Sequence, residues 1–291
     1  MNERAAVAPP AVPGTGTGTG TPGDDAHDTD DTIDADLERR FGGLARLVGE
    51  SAYRRVRAAR IAVVGVGGVG SWAAEALARS GVAGLVLVDL DHVGESNINR
   101  QVQALGSTLG MAKVQALAAR IADIHPGCSV RAVEEFVDAS NWPQLLGDGP
   151  VDAVIDACDD VRAKTAMAAW AMTAGTALVV VGAAGGKRHP ERVEIGDLAA
   201  ATHDPILAAL RQRLRKHHGA ARSGPMGIRC VYSREAVAAP TGPAGPVEGS
   251  LNCHGYGSSV AVTATFGLVA ASLALDAAML AEPRPSEIAT L

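Results

Sequence analysis

Several groups of residues in this sequence have the types and spacing to handle a nucleotide. The first is Gly65-Val66-Gly67-Gly68-Val69-Gly70. Glycines let a backbone turn tightly and approach phosphates, and a helix starting there offers free N–H groups and the positive end of its dipole. Alone, the pattern fits NAD, FAD, S-adenosylmethionine and ATP alike, and a plain tight turn as well. The second is Asp89, about twenty residues on, where an acidic side chain accepts hydrogen bonds from ribose hydroxyls. Asp91 follows with the same parity.

The third group is Ser96-Asn97-Ile98-Asn99-Arg100-Gln101, followed by Gly110-Met111-Ala112-Lys113. A nicotinamide enzyme needs no Arg and Lys after its ribose acid, whereas a nucleotidyl-transfer site does. Charge builds on the α-phosphate and the leaving pyrophosphate, and fixed cations stabilise it. Arg100 and Lys113 suit that role; either one alone reads as a solvated surface cation. The fourth group is Asp156-Ala157-Cys158-Asp159-Asp160 at the end of an apolar run. Mg2+ takes a few carboxylates together with phosphates and water. Asp159 is the expected metal ligand, and Asp156 could instead cap the turn.

Stepping strands and helices position these groups. Arg60–Gly65, Leu85–Asp89, Ser129–Val133, Val151–Asp156 and Leu178–Val181 read as strands, several of them continuous apolar runs that suit a parallel sheet buried on both faces. Ser71–Ser80, Lys113–His125 and Arg162–Thr173 read as helices between them. The alternation predicts an α/β fold: a Rossmann-like, doubly wound, mainly parallel sheet with helices on both faces. Leu37–Val56 has helical spacing, interrupted at Gly42-Gly43. Beyond residue 186 the chain is less regular and reads as a C-terminal α/β extension, with a basic helix over Asp204–His218.

The expected divisions are a disordered tail over 1–36, an ATP-binding domain over 37–186, an extension for substrate and dimer contacts over 187–280, and a flexible end over 281–291. The tail runs from Pro, Gly and Thr repeats into an acidic stretch, a composition that buries too little apolar surface to offset its ordering entropy. The chain has 291 residues and a net charge of −6, so its overall charge gives no case for gripping bare nucleic acid. The cluster Arg211, Arg213, Arg215, Lys216, His217 and His218 reads either as a contact to RNA phosphates or as a solvated face. The four cysteines, Cys128, Cys158, Cys230 and Cys253, form no C-x-x-C pair, and no leader pattern opens the chain; both features suit a reducing, cytoplasmic setting. Ser258–Leu280 is as long as a membrane span, but it is Ala-rich and carries Asp276, so a buried core helix is the preferred reading and membrane contact is not expected.

The order G-x-G-G-x-G, D-x-D-x-V-x-x-S-N-x-N-R-Q, G-x-x-K and D-A-x-D resembles the E1-like activating family. That family includes the ubiquitin-activating enzymes and the bacterial adenylyltransferases of thiamine and molybdopterin synthesis. The resemblance implies adenylation of a carboxylate with ATP and Mg2+. It places Gly65, Gly67, Gly68 and Gly70 along the nucleotide, Asp89 and Asp91 at the ribose, and Asn97, Asn99, Arg100, Gln101 and Lys113 around the phosphates. It gives Mg2+ to Asp159, with Asp160 beside it where many relatives have Asn. It also implies an Arg before the first strand that reaches a partner subunit's ATP. Arg40 is the choice here and Arg46 the alternative, which would make the protein a homodimer.

The sulfur-carrier activators of this family usually carry two C-x-x-C pairs for zinc; this chain has none, and no zinc is expected. A finer resemblance, to the tRNA threonylcarbamoyladenosine dehydratase branch, rests on Arg40-Phe41-Gly42-Gly43, Gly70-Ser71-Trp72, Gly182-Ala183-Ala184-Gly185-Gly186, Cys230-Val231-Tyr232-Ser233 and Val262-Thr263-Ala264-Thr265-Phe266-Gly267. It implies ATP-dependent closure of the threonylcarbamoyl side chain at tRNA position 37 into a ring, with tRNA as partner and an association with a cysteine desulfurase system. The alternative is adenylation of the C-terminal Gly of a ubiquitin-like or sulfur-carrier protein. Cys158 reads as a small buried residue. Cys230 and Cys253 read as buried thiols in preference to sulfur or acyl relays, because a reactive thiolate needs a cationic neighbour.

Overall fold

A computed structural model describes residues 25–238 and 256–281, with side chains from Asp36 onward. The chain divides into two units at Arg39/Arg40. The first ends in part of α1 (Asp25–Val48), where Arg39 pairs with Asp36 at 3.4 Å. Most of the described chain lies in the second unit, which is built on one sheet.

The sheet has seven strands: β1 (Arg60–Val64), β2 (Gly84–Val88), β3 (Ser129–Val133), β4 (Ala153–Asp156), β5 (Ala177–Val181), β6 (Val193–Asp197) and β7 (Arg229–Ser233), in the order β3-β2-β1-β4-β5-β7-β6. Only β6, at one edge, runs antiparallel. Register brings Val64 level with Val88 on one side and with Asp156 on the other, so the ends of β1, β2 and β4 form one rim. The chain winds outward from β1 to β3 and then crosses to β4. The β1/β4 boundary is therefore the point where the topology reverses, and ligands of such sheets bind beyond the strand ends there.

Alternation of side chains divides the core in two. Ile61, Val63, Leu85, Leu87 and Ile155 point to one face, which α2 (Glu50–Ala58), α3 (Gly70–Arg79), α4 (Lys113–Ile124) and α7 (Val260–Leu280) cover. Ala62, Val64, Val86, Val154 and Val180 point to the other, which α5 (Val161–Ala174) and α6 (Pro205–His217) cover. α7 is long and apolar enough to cross a membrane. Its residues Val262, Phe266, Ala270, Ala274 and Ala278 instead lie in the core against α3 and the sheet. A Cβ at Gly267 would stand 2.4 Å from the Val69 carbonyl oxygen, so glycine is what lets α7 ride directly on the start of α3.

The acidic stretch expected to belong to the tail is helical from Asp25 onward. It contains no Pro or Gly before Gly42, and its acids near the helix start suit the dipole. The expected interruption at Gly42-Gly43 is absent: the helix runs through, and the break falls at Gly49, where φ is 85°. β6 and β7, unread in the sequence, continue the same sheet beyond β5. Residues 1–24, the Pro- and Gly-rich stretch 240–246, which the sequence alone reads as a loop, Cys253 and the C-terminal end 282–291 lie outside the described residues.

Candidate active site

The glycine loop leaves β1 and enters α3 with no side chain capping the helix start. Two approaches fix the loop. Gly65, at φ 80°, lies so close to β4's exit that a Cβ would be 2.8 Å from the Cys158 nitrogen and 2.9 Å from the Ala157 carbonyl. At Gly70 a Cβ would be 1.8 Å from the Gly65 oxygen, so no side chain fits without opening the turn. Ala157 N–H donates to the Val64 carbonyl at 2.8 Å and Gly65 N–H to that of Val88, which knits the three strand exits together.

Asp89 follows β2. Its Oδ2 accepts the Val66 N–H at 2.8 Å and its Oδ1 the Asp91 N–H at 2.9 Å, so the acid expected at the ribose also holds the glycine loop in shape. Burial pushes its carboxyl above the ordinary range, and the nearby Lys113 ammonium works against that rise. The Lys113 side chain is 8% exposed and reaches Asp91 at 2.7 Å and Asp89 at 3.9 Å. Helix α4 starts at Lys113, which brings this cation to the rim.

The segment after Asp91 folds over the loop. The Arg100 stem lies 3.3 Å from the Cβ position of Gly68, and its Nη1 donates to the Ser96 carbonyl and to Asn99 Oδ1. Trp72 Nε1 on α3 donates to the Arg100 carbonyl at 2.9 Å. Asn99 in turn donates to the Ser258 carbonyl ahead of α7. Gln101 is buried near Gly67. Asn97 Oδ1 accepts the Gly94 N–H at 3.0 Å, a local turn contact.

At the exit of β4, Asp159 is half-buried, and its carboxylate takes no hydrogen bond or ion pair among the described residues. Asp160 caps α5 by accepting the Arg162 N–H at 2.7 Å. Asp156 does not cap the turn. Its Oδ1 pairs with Lys164 Nζ at 3.0 Å, and both side chains are fully buried. Among the described residues no three His, Cys, Asp or Glu side chains converge as a metal site. Mg2+ bound through phosphates asks for only one or two carboxylates, and Asp159 beside the glycine loop meets that requirement.

Arg40 is not at this rim. Its Nη1 donates to the carbonyls of Asp123 (3.4 Å) and Ile124 (3.1 Å), at the far end of α4 from Lys113, about 16 Å along the helix axis. Arg46 is exposed on α1. Burial pushes the Cys230 thiol up to about 12, and Cys158 donates its S–H to Asp156, so both are protonated thiols.

Sequence reading missed three contributors: Trp72, Lys164 and Gln103. Gln103 is buried, and its Nε2 donates to the Val66 carbonyl at 2.9 Å inside the glycine loop. Its position two residues after Gln101, across a tight turn closed by Ala104 N–H on the Gln101 carbonyl, gave no signal in the sequence. The loop Gly182–Gly186 at the β5 exit is held by Asp204, whose Oδ2 accepts the Ala183 N–H while Oδ1 caps α6.

A model of the ThiF family matches residues 41–286. The chain is 43% identical over 252 residues to the tRNA threonylcarbamoyladenosine dehydratase of Escherichia coli strain K12, covering 83% of this chain and 94% of that protein. It is 37% identical to the Haemophilus influenzae protein of the same name, covering 82% and 93%. The crystal structure of E. coli tRNA N6-threonylcarbamoyladenosine dehydratase in complex with ATP superposes with a TM-score of 0.75 at 43% identity, over 83% of this chain and 94% of that one.

Proposed function

The chain belongs to the ThiF family, and we propose that within it the protein is an ATP-dependent tRNA threonylcarbamoyladenosine dehydratase. The observation that carries this is the rim itself. The glycine loop, Asp89, Arg100, Lys113 and Asp159 stand together at the reversal point of the sheet, in a chain 43% identical to a dehydratase of that name over 83% of this chain and 94% of that one.

The chemistry follows from these groups. A carboxylate oxygen of the threonylcarbamoyl side chain attacks the α-phosphate of ATP, the bond to pyrophosphate breaks, and an acyl-adenylate forms. The side chain's carbamoyl group then closes on the activated carbonyl, expels AMP and releases a proton. The net change in the nucleoside is loss of one water. Arg100 and Lys113 stabilise the charge that builds on the phosphates. Mg2+ held at Asp159 would neutralise phosphate charge. The attacking group is already tethered, so ring closure gains from high effective concentration and needs no cysteine nucleophile. The protonated Cys158 and Cys230 accord with that.

Arg40 lies too far along α4 to reach its own subunit's phosphates, so its role in adenylation belongs to a homodimer, reaching into the partner's site, with Arg46 as the alternative. The exposed basic residues of α6 suit tRNA phosphates. The cytoplasm is the setting, and a cysteine desulfurase system is the protein partner the family resemblance implies.

The test is to incubate the protein with ATP, Mg2+ and threonylcarbamoylated tRNA, digest the RNA and weigh the nucleosides. A product lighter by one water is expected. Unchanged nucleosides, with ATP–pyrophosphate exchange on a ubiquitin-like carrier, would overturn the reading.

A further inference from the structure

Lys164 is among the largest fully buried side chains in the described protein. A lysine sealed from water is costly unless each of its protons finds a partner. Here three partners are present. Nζ donates to Asp156 Oδ1 at 3.0 Å, to the Asp156 carbonyl at 3.2 Å and to the Val181 carbonyl at 2.9 Å. Asp156 is the last residue of β4 and Val181 the last of β5, and the ladder between these strands ends at Asp156 and Val180. The ammonium therefore continues the seam one step beyond the last rung, where the two exit loops part.

Those loops carry the candidate chemistry. On the β4 side, Cys158 S–H donates to the same Asp156 Oδ1, at 3.0 Å, which folds the turn 157–160 back toward the pair. The other face of that turn is the peptide against which Gly65 is packed. The Ala157–Cys158 peptide is thus held between the glycine loop and the Lys164–Asp156 pair, and Asp159 is the next residue. On the β5 side the anchored carbonyl of Val181 opens the Gly182–Gly186 loop. Asp156 Oδ2 is buried with no hydrogen-bond partner among the described residues, so Lys164 is the charge that compensates this carboxylate. Burial opposes the charge on Lys164, but the Asp156 carboxylate and the groups around it together raise the ammonium above its ordinary value, while burial also pushes the Asp156 carboxyl up against the pull of Lys164.

We propose that Lys164 is a positioning residue for the nucleotide site. Its ammonium, neutralised by Asp156, pins the exits of β4 and β5 so that the turn carrying Asp159 stays seated against Gly65. A single contact set then fixes both the turn carrying Asp159 and the start of the Gly182–Gly186 loop. This rests on the reading that the chain binds ATP, and the unmodified protein tests that reading separately.

Titrate ATP with Mg2+ by calorimetry into the full chain, into Lys164→Met, and into the neutral pair Asp156→Asn with Lys164→Met. The single variant leaves a buried carboxylate uncompensated and lowers the melting temperature. The neutral pair removes that penalty and keeps the fold. The expected result is a folded neutral pair that melts cooperatively yet binds ATP at least fivefold more weakly. A pair that serves only the core would shift melting and leave the affinity of the folded protein unchanged. A folded neutral pair with a smaller loss of affinity overturns the proposal. Absence of ATP binding by the unmodified protein would overturn the ATP reading, and the proposal with it.

Discussion

Lys113 and Asp91 form a 2.7 Å ion pair at the mouth of the glycine loop, with Asp89 behind them at 3.9 Å from the same ammonium. The cation is therefore oriented before any phosphate arrives, by two acids that the β2 exit supplies. Asp91 is half exposed and Lys113 is not.

Replacing Lys113 by Met should lower the adenylation rate on the order of a hundredfold while changing ATP affinity much less, because its charge acts most where phosphate charge develops. Pyrophosphate release and calorimetric binding, measured on the same variant, check this split. Equal losses in both would show that Lys113 serves ground-state binding alone.

Gly267→Ala should destabilise the protein by about 1–3 kcal/mol through overpacking. The new Cβ would stand 2.4 Å from the Val69 carbonyl and 2.9 Å from Trp72 Cβ, so α7 must shift off the start of α3. Thermal melting reads the effect, and an unchanged melting temperature would contradict the contact.

His125 sets an acid limit on stability. Burial, together with the positive charges of Arg57 and Arg40, holds the imidazole down at about 4, below its ordinary 6.5. Arg57 donates to Nε2 at 3.2 Å, so the ring is a neutral acceptor there. The unfolded chain takes up a proton as pH falls through about 6.5, while the folded chain does not until about 4. Stability from this residue is complete above about pH 6.5 and declines between there and pH 4, by about 3 kcal/mol at most. Denaturant melts of the protein and of His125→Asn across this range should show the flatter curve for the variant.

On α6 the arginines divide. Arg211 gives Nη1 to the carbonyls of Leu198 and Ala201, and Arg215 gives Nε to that of Ala221. Arg211→Ala should therefore cost stability, about 1–3 kcal/mol, by stranding buried acceptors. Arg213 and Lys216 are exposed. Replacing both by Ala should leave melting unchanged, weaken tRNA binding and lower its salt dependence by about one unit of slope per lost phosphate contact. Binding that keeps its salt dependence would remove this face from the RNA footprint.

Legibility in the sequence followed locality. The strand runs Ile61–Val64 and Leu85–Val88, the glycine loop and the acids and cations after it carry their meaning within a few residues, and the structure collects them at one rim. Lys164 reads as an ordinary helix lysine until β4 and β5 are paired, because its three acceptors lie eight and seventeen residues away. Trp72 is likewise silent until the chain folds back 28 residues to Arg100. β6 escaped because an edge strand with Glu194, Gly196 and Asp197 shows no buried run. Asn97 and Asp160 matched a pattern, but their side chains close local turns, an economy that spacing alone does not display.

The bond from Trp72 to the Arg100 carbonyl also gives the protein an optical signature. The chain has only three tryptophans. Trp142 and Trp170 meet edge to face at 5.5 Å on the α5 side of the sheet, leaving Trp72 as the one indole bonded to the Arg100 segment. With Phe at positions 142 and 170, the remaining emission would come from a single chromophore whose N–H is bonded to the Arg100 carbonyl, so a change at that contact could be followed by light without attaching a dye.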